Sequence, residues 1–222
     1  MKLTLGIVIA ILCANLSQAY SQTSSGVTAI TKETTKSQSD EKKIAIVWWI
    51  PTEFWEKVYQ NNPRVNPAQS SEIIQTLKEY TLVVIIDGKK GGLAGITYTP
   101  ADDLRKDLTL TNPDGSTLAP LAEDALNPAM KNLIGMMKPL LSNMLGQMGQ
   151  NYNFFVFPGK DKAGKQLIDA HGNGKLTVHY SGGSFVWHLP LGSLMPIKKC
   201  DTCGEEFIGN YNFCPYDGQK LH

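Results

Sequence analysis

The sequence predicts a mainly β protein of the α+β class: an antiparallel β-sandwich-like domain with helical insertions, followed by a small C-terminal knuckle. The first observation is the segment over 175–189, whose alternating apolar side chains fit two paired strands. The second is a methionine-rich helical pattern over 127–149, which separates two groups of strand-like segments. The third is a tail over 196–222 that holds three cysteines. Strands before and after a group of helices are typical of a sandwich with helical insertions.

The composition is that of one globular domain with a small appendage. The chain has 222 residues, of which 42% are hydrophobic and 18% are charged. This length is enough to bury one core of ordinary size. We expect the main domain to occupy residues 44–195 and the appendage residues 196–222.

Residues 1–19 have the plan of a secretory signal peptide. A single lysine precedes an uncharged apolar run from Leu3 to Ala14, and small residues follow at Ser17 and Ala19. The run of about 12 residues is shorter than the roughly 20 that cross a bilayer. We therefore expect cleavage after Ala19 and export to the periplasm or the extracellular space.

Two other interpretations of this terminus are an uncleaved membrane anchor and a lipoprotein. Lipidation would use Cys13, but Leu12 stands where a small residue should precede the modified cysteine. Removing residues 1–19 takes one of the 21 basic residues and no acid, which leaves 20 basic and 20 acidic residues. A chain without net charge lacks the electrostatic footprint of a nucleic-acid-binding protein, so we expect no nucleic-acid partner.

Residues 20–43 are predicted to form a disordered linker. Ten of these 24 residues are serine or threonine, and almost none is apolar. Such a segment cannot bury enough surface to offset the entropy lost on ordering.

The main domain is expected to begin with the β-branched and aromatic strand Ile44–Pro51. A short helix should follow from Thr52 and a second from Ser71, where apolar side chains share one face. Thr81–Gly88 is predicted as a buried strand. The turn residues of 112–115 predict a hairpin.

A second hairpin is predicted around Gly182 and Gly183 as a two-residue turn. This register pairs six apolar side chains on one face: Tyr180 with Phe185, Val178 with Trp187, and Leu176 with Leu189. His179 and His188 fall on the polar face, close enough in principle to share a metal. We interpret both histidines as solvent-facing residues of a sheet with one buried face.

The segment over 127–149 is predicted to be a methionine-rich helix. Asn127 should cap it, and Pro139 should kink or split it. Its apolar positions, at helical spacing, are Met130, Leu133, Ile134, Met137, Leu141, Met144, Leu145 and Met148. We expect the helix to pack on the sheets. The alternatives are a surface for a membrane, an apolar ligand or a partner protein, and a copper site formed by thioethers.

Cys200 and Cys203 have the Cys-x-x-Cys spacing that presents two thiolates to one metal ion. Cys214 follows in a Cys-Pro context, and Asp217 stands three residues after it. An odd number of cysteines in the exported chain does not describe a disulfide framework. These four residues are the predicted metal ligands.

The segment KKCDTCGEEF followed by YNFCPYDGQKL resembles a zinc-ribbon module, whose second knuckle usually reads Cys-Pro-x-Cys-Gly. Cys200, Cys203 and Cys214 stand at three of its four ligand positions, and Asp217 stands at the fourth. Its turn and packing positions are taken by Gly204, Phe213, Pro215, Gly218 and Leu221. The resemblance covers residues 196–222 and implies a structural zinc ion as the cofactor.

Several states of this tail are consistent with the sequence. Asp217 could complete a three-cysteine, one-aspartate site, leave the fourth position to water, or only cap its turn. In an oxidising compartment Cys214 could instead form a disulfide with Cys200 or Cys203 and leave one thiol free. The ribbon could also fold without metal.

The sequence favours a non-enzymatic envelope protein, a structural or protein-interaction module with an unidentified protein partner. The alternative is a carrier of an apolar ligand or lipid that uses the methionine-rich helix, and the third hypothesis is an enzyme. Asp169 and His171 could orient one another as an acid–base pair, but no nucleophile accompanies them in their glycine-rich turn. A polar pocket that gathers both with another carboxylate would favour the enzyme.

Overall fold

The computed structural model describes residues 26–60, 66–91, 95–144 and 149–222. The predicted signal peptide lies outside these residues. So do the side chains of Leu141 and Met144, and all of Leu145 and Met148. Within the described chain, no helix is both long and apolar enough to cross a membrane.

The fold is α+β with antiparallel sheets, which confirms the predicted class. The helices and strands follow one another as α1 (26–34), β1 (Thr35–Ser39), β2 (Lys43–Ile50), α2 (Thr52–Gln60), α3 (Pro67–Lys78), β3 (Tyr80–Lys90), β4 (Ile96–Tyr98), α4 (Ala101–Arg105), β5 (Thr109–Thr111), β6 (Thr117–Leu118), α5 (Pro128–Met144), β7 (Asn153–Pro158), β8 (Gly174–Tyr180), β9 (Gly183–Leu189), β10 (Lys198–Lys199) and β11 (Glu206–Phe207). Short 3-10 turns lie at Glu123–Ala125 and Gly192–Leu194.

The strands form two principal sheets and one small ribbon. The larger sheet has the order β1-β2-β3, and the long strand β3 then pairs with β7 along one half and with β4 along the other. The smaller sheet has the order β6-β5-β8-β9, and β10 pairs with β11 in the C-terminal tail. Every pairing is antiparallel.

The central strands of the larger sheet are buried on both faces. Trp49 of β2 lies 6.1 Å, between ring centroids, from Trp187 of the smaller sheet. Its neighbour Trp48 points to the opposite face and meets Phe54 of α2 at 5.3 Å. Because both faces are covered, β2 and β3 have continuous apolar runs instead of an alternating pattern.

The hairpin of β8 and β9 has the predicted buried face but a different register. Tyr180 pairs with Gly183, so the turn is formed by Ser181 and Gly182, and the predicted register is wrong by two residues. A shift of two preserves which side chains share a face, because side chains alternate along a strand. All six apolar residues named above are therefore buried.

A physical reason for the shift lies in the Tyr180 ring. The ring stacks on Phe185 at 6.0 Å and 10°, diagonally across the strands. It also covers Gly182 so closely that a β-carbon there would overlap it. The Tyr180 hydroxyl then donates to buried Asp87 of β3 at 3.1 Å, which joins the two sheets.

The prediction of a disordered linker over 20–43 is wrong for residues 26–43, which contain α1 and β1. Ile30 is fully buried, and β1 pairs with β2 along five residues. Thr34 accepts hydrogen bonds from two buried indoles, from Trp48 at its side-chain oxygen and from Trp187 at its carbonyl. The average composition of residues 20–43 does not predict this structure, because two single buried residues, Ile30 and Thr34, hold the segment in place.

Helix α3 begins earlier than predicted, at Pro67 instead of Ser71. The Asn66 side chain accepts from the backbone of Ala68 and caps the helix. The predicted cap of α5 is confirmed, since the side chain of Asn127 accepts from the backbone of Met130 at 2.8 Å.

Helix α5 is continuous through Pro139, so the predicted split is absent. Met130, Leu133 and Met137 are buried in the main core, whereas Met136 is 58% exposed. The described part of this helix therefore packs on the sheets as expected.

Candidate metal centre

The C-terminal tail has a small core of its own. Cys200, Cys214 and Leu221 are buried together with Phe207 packed against them, separately from the main core. Three buried side chains are a small hydrophobic contribution for a folded unit. Such a unit is expected to depend on a further link, such as a metal ion or a disulfide.

The first knuckle of the tail is a tight turn that starts at Cys200. The backbone amide of Gly204 donates to the Cys200 carbonyl at 2.9 Å, and the Cys200 amide donates to the Glu205 carbonyl at 2.9 Å. Gly204 has a φ of +74°, a left-handed conformation that glycine adopts without strain. The turn brings Cys203 back beside Cys200.

The second knuckle repeats this geometry fourteen positions later. The Gly218 amide donates to the Cys214 carbonyl at 2.9 Å, the Cys214 amide donates to the Gln219 carbonyl at 2.7 Å, and Gly218 has a φ of +75°. Asp217 therefore occupies in the second knuckle the position that Cys203 occupies in the first.

The two knuckles bring all four predicted ligands together. One ligand atom from each of Cys200, Cys203, Cys214 and Asp217 lies within 4.8 Å of the others. The sulfurs of Cys203 and Cys214 are 3.7 Å apart, and the Cys200 sulfur is 3.2 Å from Oδ2 of Asp217. A tetrahedral ion with metal–sulfur bonds of about 2.3 Å holds its sulfurs about 3.8 Å apart. Three thiol sulfurs and one carboxylate oxygen at this spacing suit a metal ion.

Asp217 both caps its turn and faces the cluster. Its Oδ1 accepts a hydrogen bond from the Gln219 amide at 2.9 Å, while Oδ2 lies beside the sulfur of Cys200. The Gln219 hydrogen bond is the main cause that lowers the pKa of Asp217 below its ordinary value. The carboxylate is therefore charged at neutral pH and available as an oxygen ligand.

Burial raises the pKa of the Cys214 thiol to about 11. Metal binding to this thiol must displace its proton, so affinity should fall as the pH falls. Titrating metal affinity between neutral and mildly acidic pH would check this dependence. Metal affinity that is independent of pH would contradict thiolate ligation.

Oxidation of the metal-free protein is expected to join Cys203 to Cys214. Cys203 is exposed, and its sulfur is the one placed 3.7 Å from the Cys214 sulfur. Treatment with hydrogen peroxide should form this disulfide and leave Cys200 as a free thiol, which peptide mapping by mass spectrometry would detect. A disulfide between Cys200 and Cys214 would contradict the described arrangement.

The tail is attached to the main domain through the 3-10 turn that precedes it. The Glu33 carboxylate at the end of α1 accepts from the amides of Gly192 and Ser193, at 2.7 and 2.8 Å. The amide of Gly209 in the tail donates to the Gly192 carbonyl at 3.0 Å. Sequence reasoning missed Glu33, because it lies in the segment predicted to be disordered.

The other predicted candidates do not come together in the same way. His179 pairs with Ser184 and His188 pairs with Lys175, so the two histidines are offset by four positions along the strands. Asp169 accepts from the backbone amide of His171 at 2.9 Å, which is a turn contact and not an acid–base pair of side chains.

A cavity of about 410 Å³ beside the start of α2 was not found from the sequence. It gathers Asp169 with a second carboxylate, that of Glu53, but His171 is not among its lining residues. The polar pocket that would favour an enzyme is therefore present only in part, with two carboxylates and without His171. No local sequence signal marks Glu53 as a site residue, since the second carboxylate of the cavity, Asp169, is distant in the chain.

Comparison of the chain with protein-family models, with curated proteins and with solved structures gives no match.

Proposed function

We propose that the protein is an exported, non-enzymatic envelope protein whose C-terminal module is held by a structural zinc ion and serves as a structural or protein-interaction unit. The observation that carries this proposal is the cluster of four ligand atoms within 4.8 Å on two matching knuckles. Soft thiolates favour zinc among the metals that accept tetrahedral sites, and a closed four-ligand site is structural. The apolar run at residues 1–19 supports export.

The module also exposes apolar side chains that do not belong to the main core. Ile197, Tyr211, Phe213 and Tyr216 are exposed by 44–76%. Tyr211 and Tyr216 flank Phe207 at 5.8 and 6.0 Å between ring centroids. Aromatic side chains are enriched where proteins bind each other, so this surface supports an interaction role.

The carrier alternative has less support. It requires the methionine-rich helix to offer apolar surface, and Met130, Leu133 and Met137 of that helix are buried in the main core.

Metal analysis of the purified protein tests the zinc site. We expect about one zinc ion per chain in the wild type and none in Cys200→Ser, because one lost thiolate leaves an incomplete ligand set. A wild-type protein without metal would contradict the proposal.

Asp217→Cys is expected to tighten metal binding, because Asp217 stands where Cys203 stands in the other knuckle and a fourth thiolate would complete a four-cysteine site. Asp217→Ala should weaken binding at least tenfold. Competition with a chromogenic chelator would measure both effects. If neither substitution changes the affinity, Asp217 only caps its turn.

Photo-crosslinking in the cell of origin tests the interaction role. A benzophenone side chain at Tyr216 should yield a discrete crosslinked product that disappears in the Cys200→Ser background. The same group at Val186, which is 36% exposed on the smaller sheet, is the control position. Equal products from both positions would contradict a specific surface on the module.

A further inference from the structure

We propose that the cavity between the start of α2 and the loop over 159–173 binds an alkylammonium group, with Glu53 as its counter-ion. The site is separate from the cysteine cluster and does not depend on the proposed zinc function.

The cavity has the size and lining of a small-molecule site. Its volume is about 410 Å³, inside the range of about 300–1,000 Å³ of natural ligand pockets. Its lining comes from the end of β2, the start of α2, the junction of α3 with β3, and the loop over 159–173. Apolar side chains, including Ile50, Ile168 and Ala170, form part of the wall, and a few charged groups accompany them.

The loop wall of this cavity is held in place by hydrogen bonds to the surrounding fold. The Gln166 side chain donates to the Lys78 carbonyl at 2.9 Å, and the Gly159 amide donates to the Glu79 carbonyl at 2.9 Å. At the other end, the Leu191 amide donates to the Ala170 carbonyl at 2.9 Å. The cavity is therefore formed before any ligand arrives, which lowers the entropic cost of binding.

Glu53 is a half-buried carboxylate in this cavity that makes no ion pair within the described chain, although a charge on His171, which is outside the lining, lowers its pKa. Among the described residues, it accepts a hydrogen bond only from its own backbone amide. Lys78, a cation of the lining, is paired with Glu56 at 3.5 Å. Burial raises the pKa of Glu53 and outweighs the lowering by its own backbone amide and by His171, as expected for a carboxylate that has lost water and makes no ion pair.

The remaining charges favour a cationic occupant. Asp169 also lines the cavity, and its negative charge raises the pKa of Glu53 further. Lys165 is an exposed residue that lines both this cavity and a neighbouring acidic one, and its charge lowers the pKa of Asp114 in the neighbouring cavity. An ammonium group placed near Glu53 and Asp169 would supply the missing charge, and an attached alkyl chain would contact the apolar wall.

Nuclear magnetic resonance of the full, ¹⁵N-labelled protein tests this site with pentylammonium as the probe. Pentan-1-ol and pentanoate are neutral and anionic controls of similar size. We expect pentylammonium to shift the Trp49 indole signal and the amides of Ile50, Thr52, Glu53 and residues 166–170 in a saturable manner, and the two controls to produce no saturable shift. A saturable response to either control, or none to the ammonium, would overturn the proposal.

Matched variants separate the role of Glu53 from a general charge effect. Glu53→Gln should weaken pentylammonium binding at least tenfold, whereas Glu72→Gln should leave it within twofold, because Glu72 is exposed on α3 and outside the lining. Dispersed amide spectra would show that both variants fold. Equal weakening by the two variants would contradict the assignment of Glu53.

A blocked lysine, Nα-acetyl-lysine methylamide, distinguishes the source of the ammonium group. Binding of this probe at least as tight as that of pentylammonium would indicate a lysine side chain of a peptide as the occupant. Weaker binding would indicate a free amine, because the peptide backbone then does not fit.

Discussion

Removing the metal is expected to unfold residues 196–222 and to leave the main domain folded. The tail has a core of only three buried side chains, so its folding free energy should come mainly from ligation of the metal. The main domain has its own extensive core and does not use the cysteines. Limited proteolysis after chelation should therefore cut within the tail and leave a resistant fragment that ends near Pro196.

The Cys200→Ser variant is the matched control for chelation, and it should be cleaved at the same sites without a chelator. Adding zinc should protect the wild type but not this variant. A tail that stays resistant in both cases would show that the ribbon folds without metal.

Trp187→Ala is expected to destabilise the main domain by about 3–5 kcal/mol. Trp187 is 1% exposed, lies between the two sheets against Trp49, and donates its indole N–H to the Thr34 carbonyl at 2.9 Å. The truncation leaves a cavity and also removes the hydrogen-bond donor for a buried carbonyl. Urea unfolding followed by circular dichroism would measure the change in the free energy of unfolding.

Trp187→Phe is the control, because it keeps a ring against Trp49 and loses the indole N–H. It should cost clearly less than the alanine variant. A loss below about 1 kcal/mol for Trp187→Ala would contradict a core shared by the two sheets.

The clustering of Cys200, Cys203, Cys214 and Asp217 could be predicted from the sequence because the geometry of each knuckle is local. Each knuckle is five residues long, and its glycine and cysteine positions determine the turn. The role of Asp217 was open, because a carboxylate has two oxygens that can cap a turn and face a metal at once. In the structure, Oδ1 of Asp217 accepts from the Gln219 amide and Oδ2 lies beside the Cys200 sulfur.

The buried face of the β8–β9 hairpin was predictable, but its register was not. Alternation determines which side chains share a face, and it is unchanged by a shift of two residues. Selecting between the two registers requires the Tyr180 ring, which lies over Gly182 and reaches Asp87 on another sheet.

Two contacts between distant parts of the chain were also not predicted from the sequence. Glu33 binds the turn at Gly192 across 159 positions of sequence, and Glu53 shares its cavity with Asp169. Contacts of this kind depend on the packing of distant elements, which hydrophobic pattern and residue spacing do not specify.

Diffraction from crystals of the protein at the zinc absorption edge is the most direct test of the metal centre. The account predicts one anomalous peak bonded to the sulfurs of Cys200, Cys203 and Cys214 and to a carboxylate oxygen of Asp217. A Cys203–Cys214 disulfide with no anomalous peak would contradict it.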